Sequence, residues 1–310
     1  MAVETFHTLI ARNRRNSFLL VGLFMLFFVA IGLLIGYVWG GNLPLAGIVA
    51  GIAATVAFVL TLASYYGGST ALLGMSGAKR ITKGQDPQLF NVVEELSLAA
   101  GVPVPKIYLI DDTAMNAFAT GRDPAHASVA ITKGLRAKLS RDELQGVMAH
   151  EMSHVRHYDI LYAMLVSVMV GVLVMLCDVF LRSMWWGGGR RRRRSGKSQG
   201  GGAELILVVI ALVLAIIAPI LARIIQMAIS RQREYLADAG SVELTRNPEG
   251  LASALSKLTS DQEVLEVANR ATAPLYIVHP IKKFEERSSS IFDTHPPVQD
   301  RIKKLLTLTR

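Results

Sequence analysis

Cysteine is almost missing from this 310-residue chain, and the single Cys177 excludes a disulfide framework and any metal site built on two or four thiolates. Charge is scarce too. Asp, Glu, Lys and Arg make up 18% of the residues, against about 25% in soluble domains, so an ordinary soluble composition is excluded. Acidic residues are the scarcer sign, 24 against 33 basic ones, which leaves a formal charge of +9. Disorder requires low hydrophobicity and is excluded by a 51% hydrophobic content and a mean hydropathy of +0.38. The remainder is a basic, apolar chain, the composition of a membrane protein.

The apolar residues are concentrated. Residues 16–78 contain no charged side chain, and about 20 apolar residues suffice to cross a hydrocarbon core of about 30 Å. Two spans fit, near 18–39 and 43–64, with Gly40, Gly41, Asn42 and Pro44 breaking the helix between them. So short a turn predicts an antiparallel transmembrane hairpin. A signal peptide has an apolar region of only about 7–15 residues, so the segment reads as an uncleaved anchor. Two further uncharged runs, 160–177 and 205–222, are each just long enough to span, with a buried core helix as the competing reading.

The polar parts, about 79–159 and 223–310, suffice for one compact domain if they meet. Residues 86–100 read as an amphipathic helix ended by Gly101 and Pro103, and 106–111 and 126–132 read as strands. Ser140 and Glu143 form a capping box that opens a helix running through His154 toward the third span. Residues 187–202 form a Gly-rich linker carrying Arg190–Arg194. The resulting division is an N-terminal arm at 1–17, a hairpin at 18–64, a first half-domain at 65–159, a third span at 160–181, a Gly/Arg-rich loop at 182–203, a fourth span at 204–222 and a second half-domain at 223–310.

The chemistry lies in His150-Glu151-Met152-Ser153-His154, an HExxH sequence. On a helix, positions i and i+4 share a face one turn apart, so the two imidazoles can grip one metal ion. Zinc suits imidazole nitrogen and lowers the pKa of its water to about 7, with Glu151 placed to act as general base. Catalytic zinc takes three protein ligands. The third histidine of the metzincin pattern would fall at Ile160, which excludes that class. His157 shares the face but lies about 10.5 Å along the axis from His150, and reads as a supporting residue. Glu234, in Arg231-Gln232-Arg233-Glu234-Tyr235-Leu236-Ala237-Asp238, is the best remaining candidate. Two crossings between the motifs return the chain to its starting side, at a similar height. Asp238, one turn on, can bind a ligand histidine and fix its tautomer. A solvated salt-bridge face with Arg231 and Arg233 is the competing reading of that run.

With these motifs the chain resembles the HtpX-type membrane zinc endopeptidases, relatives of the CAAX-type membrane proteases. The residues that carry the resemblance are Asn116-Ala-Phe-Ala-Thr-Gly121, the run from Ser140 to His154, Ser230–Asp238 and Thr294-His-Pro-Pro-Val-Gln-Asp-Arg301. It implies one zinc ion per chain held by His150, His154 and Glu234, with Glu151 as catalytic base and acid and Asp238 in support. It also implies that Asn116 and Phe118 lie beside the substrate cleft and that His295 stabilises the transition state. From the residues alone, 116–121 reads rather as a turn after a strand, and His295 equally as a packing or capping residue. Arg301 either pairs with a buried carboxylate or lies on a solvated face. The expected fold is mainly α with a small β-sheet: four transmembrane helices plus a cytoplasmic zincin-like (gluzincin) catalytic domain built from two chain segments.

Arg12, Arg14 and Arg15 precede the first span and place the N-terminus in the cytoplasm. The resemblance implies a prokaryotic plasma membrane. Arg190–Arg194 then falls on the outer side, against the usual bias: either anionic lipid headgroups are its partner there, or spans three and four do not fully cross. Nucleic-acid binding is excluded because arginines in a glycine linker lack aromatic interleaving or a folded platform. The expected substrates are membrane proteins or peptides, misfolded or damaged ones by the resemblance. A dedicated processing protease and a non-catalytic membrane scaffold are the alternatives.

Overall fold

The uncharged stretch folds into two long helices, α1 (Phe6–Gly40) and α2 (Leu43–Met75). They come from a computed structural model that describes residues 6–40, 42–169, 231–261, 263, 277 and 296–308. Asn42 caps α2 by accepting the Leu45 N–H, with Pro44 in the first turn, where a missing N–H costs nothing. The pair is closely packed and antiparallel. A Cβ added at Gly32 would come within 2.7 Å of the Ala50 Cα, and one at Gly36 within 2.6 Å of the Ala46 Cα. Phe18 and Leu26 point outward, as residues facing lipid do. Both helices are long and apolar enough to cross a membrane, over Asn13–Leu33 and Leu43–Met75.

α2 does not stop at residue 64, where the hydrocarbon span is expected to end. It continues to Met75, and Leu73 packs against Ile110, Phe118 and Ala130 of a four-stranded sheet. The strands are β1 (Lys79–Arg80), β2 (Lys106–Ile110), β3 (Ala117–Thr120) and β4 (Ser128–Thr132), in the order β1-β2-β4-β3. β2 and β4 are parallel, with Lys106 opposite Ser128, while β1 and β3 run antiparallel to their neighbours. β3 forms where the sequence alone suggested a turn. Its four residues are all buried, so no alternation marks it, and Ala-Phe-Ala-Thr has little strand propensity of its own.

Helices pack on this sheet. α3 (Pro87–Ala100) has Asp86 as its cap and ends at Gly101, whose φ of 66 is the left-handed value that glycine tolerates. α4 (Lys133–Lys138) is short, and α5 (Arg141–Arg156) opens with the anticipated capping box of Ser140 and Glu143. Leu144, Val147 and Met148 of α5 are buried in one core with Leu89 and Val93 of α3 and with Leu251. The remaining described helices are α6 (Asp159–Met169), α7 (Arg231–Thr245), α8 (Pro248–Ser260) and α9 (Val298–Thr307).

One expectation is corrected here. The HExxH helix does not run on into the third span: it ends at Arg156, turns through His157 and Tyr158, and restarts as α6. Tyr158 takes φ 62, a left-handed value uncommon for a bulky residue, and this stops a helix that propensity would continue. The expected third span is described only through Met169. The expected fourth span, Arg190–Arg194 and His295 lie outside the described residues.

Candidate metal centre

α5 carries His150, Glu151 and His154 on its buried side, and α7 lies against it carrying Glu234 and Asp238. The two helices approach closely because Gly240 of α7 faces Ser153 of α5. A Cβ there would collide with the Ser153 hydroxyl. This contact lets one turn of α7 meet one turn of α5. Among the described residues, His150, His154 and Glu234 form a group whose ligand atoms all lie within 4.8 Å of one another. The His150 and His154 Nε2 atoms are 3.2 Å apart, and each is 3.7 Å from an oxygen of Glu234.

The other face of each ring fixes its tautomer. His150 Nδ1 lies 3.0 Å from Asp238 Oδ1, and His154 Nδ1 lies 3.1 Å from Asp159 Oδ2. A carboxylate oxygen only accepts, so each Nδ1 carries the proton and each Nε2 turns a lone pair inward. Two lone pairs at 3.2 Å beside a carboxylate repel one another unless a cation or a proton lies among them. Two ligands about 2.05 Å from a tetrahedral ion stand about 3.3 Å apart, so this donor set fits a zinc-like metal ion.

Electrostatics follow from the burial. Desolvation pushes the Glu151 carboxyl above its ordinary range, Glu234 adds to the rise, and His150, His154 and the Ala119 backbone N–H oppose it. Burial works against a charge on His154, but the Asp159 hydrogen bond and the charges of Glu234, Asp159 and Glu151 raise its pKa to about 9. Burial also disfavours charge on Asp238, yet Arg301 beside it, with the His150 and Arg301 hydrogen bonds, holds that carboxyl below the usual range. Arg301 is fully buried. It donates from Nε and Nη2 to Asp238 and from Nη1 to the Ile277 carbonyl, and its Nη1 lies 3.4 Å from Glu234 Oε2. Of its two sequence readings, the buried pair is the one the fold adopts.

The edge strand β3 runs beside this centre. The Ala117 carbonyl accepts the Ile277 N–H, and the Ala119 N–H reaches the Glu151 carboxylate. Asn116 opens the strand, and its Oδ1 accepts the Ala117 N–H. Phe118 is fully buried in the core with Leu73 and Ile110. Asn116 and Phe118 thus belong to the strand whose Ala119 N–H reaches Glu151, with the Phe118 side chain buried in the core. His157 is buried, with its Nδ1 3.4 Å from the Ser153 hydroxyl, and is not among the grouped ligands.

Two residues of the centre gave no signal in the sequence. Asp159 follows His154 by five positions, about 140° around an unbroken helix, and only the turn at His157 and Tyr158 swings it onto the His154 ring. Asn13 lies in α1, where Nδ2 donates to Asp159 Oδ1 and to the His157 carbonyl. Nothing in the spacing joins residue 13 to residue 159.

An HExxH helix, a carboxylate from a later helix and a small sheet with its edge strand alongside are the parts of a metalloprotease, here attached to a hydrophobic hairpin. The comparisons agree. The family described as Peptidase family M48 matches residues 83–309. A "Protease HtpX homolog" of Caldanaerobacter subterraneus subsp. tengcongensis is 44% identical over the full length of both chains. One from Lactobacillus helveticus is 41% identical, covering 96% of this chain and 97% of its own. The chain belongs to peptidase family M48 and, within it, to the HtpX-type proteases. Its fold is similar to that of the protein in the "Crystal Structure of S. mikatae Ste24p", with a TM-score of 0.50 at 18% identity, over 96% of this chain and 66% of that one.

Proposed function

We propose that this membrane metalloprotease is a zinc-dependent endopeptidase that cuts membrane proteins close to the cytoplasmic face, in membrane protein quality control. The observation that carries the reading is the convergence of His150 Nε2, His154 Nε2 and Glu234 within one small, buried volume, with Glu151 beside them. In this reading His150, His154 and Glu234 are the zinc ligands, and Asp238 holds the His150 ring. Zinc bound there supplies a Lewis acid for the scissile carbonyl and a water of lowered pKa. Glu151 takes the proton of the attacking water and delivers it to the leaving amine, a task suited to a carboxyl that burial holds above its ordinary range.

The substrate cleft follows β3, where Asn116 fixes the start of the strand and Phe118 anchors it to the core. His295, immediately before the buried Pro296, is assigned as donor to the developing oxyanion. Four spans, with 160–181 and 204–222 as the third and fourth, return Glu234 to the side of the HExxH helix. The basic residues ahead of α1 support the cytoplasmic placement. Arg190–Arg194 is assigned to anionic headgroups on the opposite side.

The test is the Glu151→Gln variant of the full chain in detergent or nanodiscs, assayed on an unfolded membrane-protein substrate. Cleavage should vanish while one zinc per chain is retained. Undiminished cleavage by this variant would remove Glu151 from the reaction.

A further inference from the structure

We propose that Asn13, on the first membrane helix, is a positioning residue for the metal ligand His154. It acts through Asp159, so the metal centre is complete only when α1 is seated on the α5–α6 turn. This rests on the reading of His150, His154 and Glu234 as metal ligands.

The chain of contacts is short. Asp159 divides its carboxylate: Oδ2 faces His154 Nδ1 at 3.1 Å, and Oδ1 accepts from Asn13 Nδ2 at 2.5 Å. The same Asn13 amide donates to the His157 carbonyl at 2.9 Å. Both acceptors lack a proton, so only the amide nitrogen can face them, and the side-chain orientation is fixed. Asn13 is 3% exposed, and a buried amide is tolerated only when hydrogen-bonded. α1 holds it there. The neighbouring Arg14 places its guanidinium 4.4 Å from the Tyr158 ring centroid, over the one residue of the turn with positive φ.

From the opposite side α7 supports the same turn. Arg233 lies 3.9 Å from Asp159 Oδ1 and 4.9 Å from the Tyr162 ring centroid. The turn that carries Asp159 is thus clamped between the first membrane helix and the helix that carries Glu234. A residue orienting a ligand's supporting carboxylate affects metal affinity through ring orientation, and such outer contacts change affinity by about 10–100-fold.

The experiment uses the full-length protein in nanodiscs, with Zn2+ affinity from competition against a chelator and the visible spectrum of the Co2+-substituted form. Asp159→Asn should weaken Zn2+ binding by about 10–100-fold. Asn13→Ala should weaken it by about tenfold or less and alter the Co2+ spectrum. The double variant should bind no more weakly than Asp159→Asn alone, because Asn13 acts through Asp159. Asn13→Asp keeps the side-chain size but sets a carboxylate against a carboxylate, and should bind Zn2+ more weakly than Asn13→Ala. Phe18→Ala, on the lipid-facing side of α1, should leave both readouts at the wild-type value. Wild-type affinity and spectrum in Asn13→Ala, a lowered unfolding temperature as its sole effect, or additive losses in the double variant would each overturn the proposal. If His154→Ala binds Zn2+ as wild type does, the ligand assignment itself fails, and the proposal with it.

Discussion

Arg301 and Asp238 form a fully buried, two-pronged pair, with Nε 2.9 Å from Oδ2 and Nη2 2.7 Å from Oδ1. The pair joins α9, near the end of the chain, to the helix that carries Glu234, and its carboxylate also holds the His150 ring. Planar, bidentate recognition is specific to arginine; lysine cannot reproduce the fork.

Arg301→Met should therefore leave Asp238 buried without its partner charge. Removing one member of a buried pair costs about 3–5 kcal/mol, visible as a lower unfolding temperature. Arg301→Lys should recover only part of that loss. An unfolding temperature in Arg301→Met equal to wild type would show that the pair contributes nothing.

Gly240→Ala would normally favour a helix by about 1 kcal/mol. Here the sign should reverse, because the methyl group meets the Ser153 hydroxyl and must push α7 away from α5. Overpacking of this kind costs about 1–3 kcal/mol, and Zn2+ affinity should fall as Glu234 moves from the histidines. Ser153→Gly in the same chain should restore both.

Stripping metal with a chelator should abolish proteolysis, and adding Zn2+ back should restore it. Glu234→Gln keeps the side chain's size but removes its charge, so it should lower Zn2+ affinity at least about tenfold. Dialysis against chelator followed by metal analysis measures this directly.

Acid should weaken the domain through Glu143. Burial tends to raise this carboxyl, but hydrogen bonds from Lys257, Ser253 and the Ser140 N–H, with the Lys257 charge, bring its pKa down to about 2. A depressed carboxylate adds stability that is fully present above its unfolded value of 4.5 and is lost as pH falls toward 2. Glu143→Gln should unfold at a lower temperature than wild type at pH 6, by on the order of 1 kcal/mol since Lys257 is partly solvated. The gap should close between pH 4.5 and 2. A gap that stays constant over that range would exclude the carboxylate as its source.

Much of this was readable in the residues. The hairpin, the helix over 86–100, the capping box at Ser140, and the strands at 106–111 and 126–132 are local signals, set by charge-free runs, turn chemistry and periodicity. Glu234 was also legible, as the best remaining carboxylate for a site to which the HExxH motif supplies two ligands, and its ligand atom does lie with those of His150 and His154. What escaped was geometry fixed by distant packing. β3 has no pattern because both its faces are covered. Asp159 reaches His154 only because Tyr158 takes a left-handed conformation under Arg14, and a helix-period reading places that carboxylate on the wrong side. Asn13 resembled an ordinary polar residue ahead of a span.

The continuation of α2 past the bilayer sets a stand-off distance. Its 33 residues extend about 50 Å at 1.5 Å each, and the hydrocarbon takes up about 30 Å of that. Because Leu73 packs into the sheet rather than ending in a loose tether, the domain is held within about 20 Å of the hydrocarbon edge. For the membrane substrates proposed above, that distance corresponds to at most about six residues of extended chain, at about 3.3 Å each. On the proposed function the stalk acts as a ruler, favouring membrane substrates whose membrane-proximal segment is unfolded.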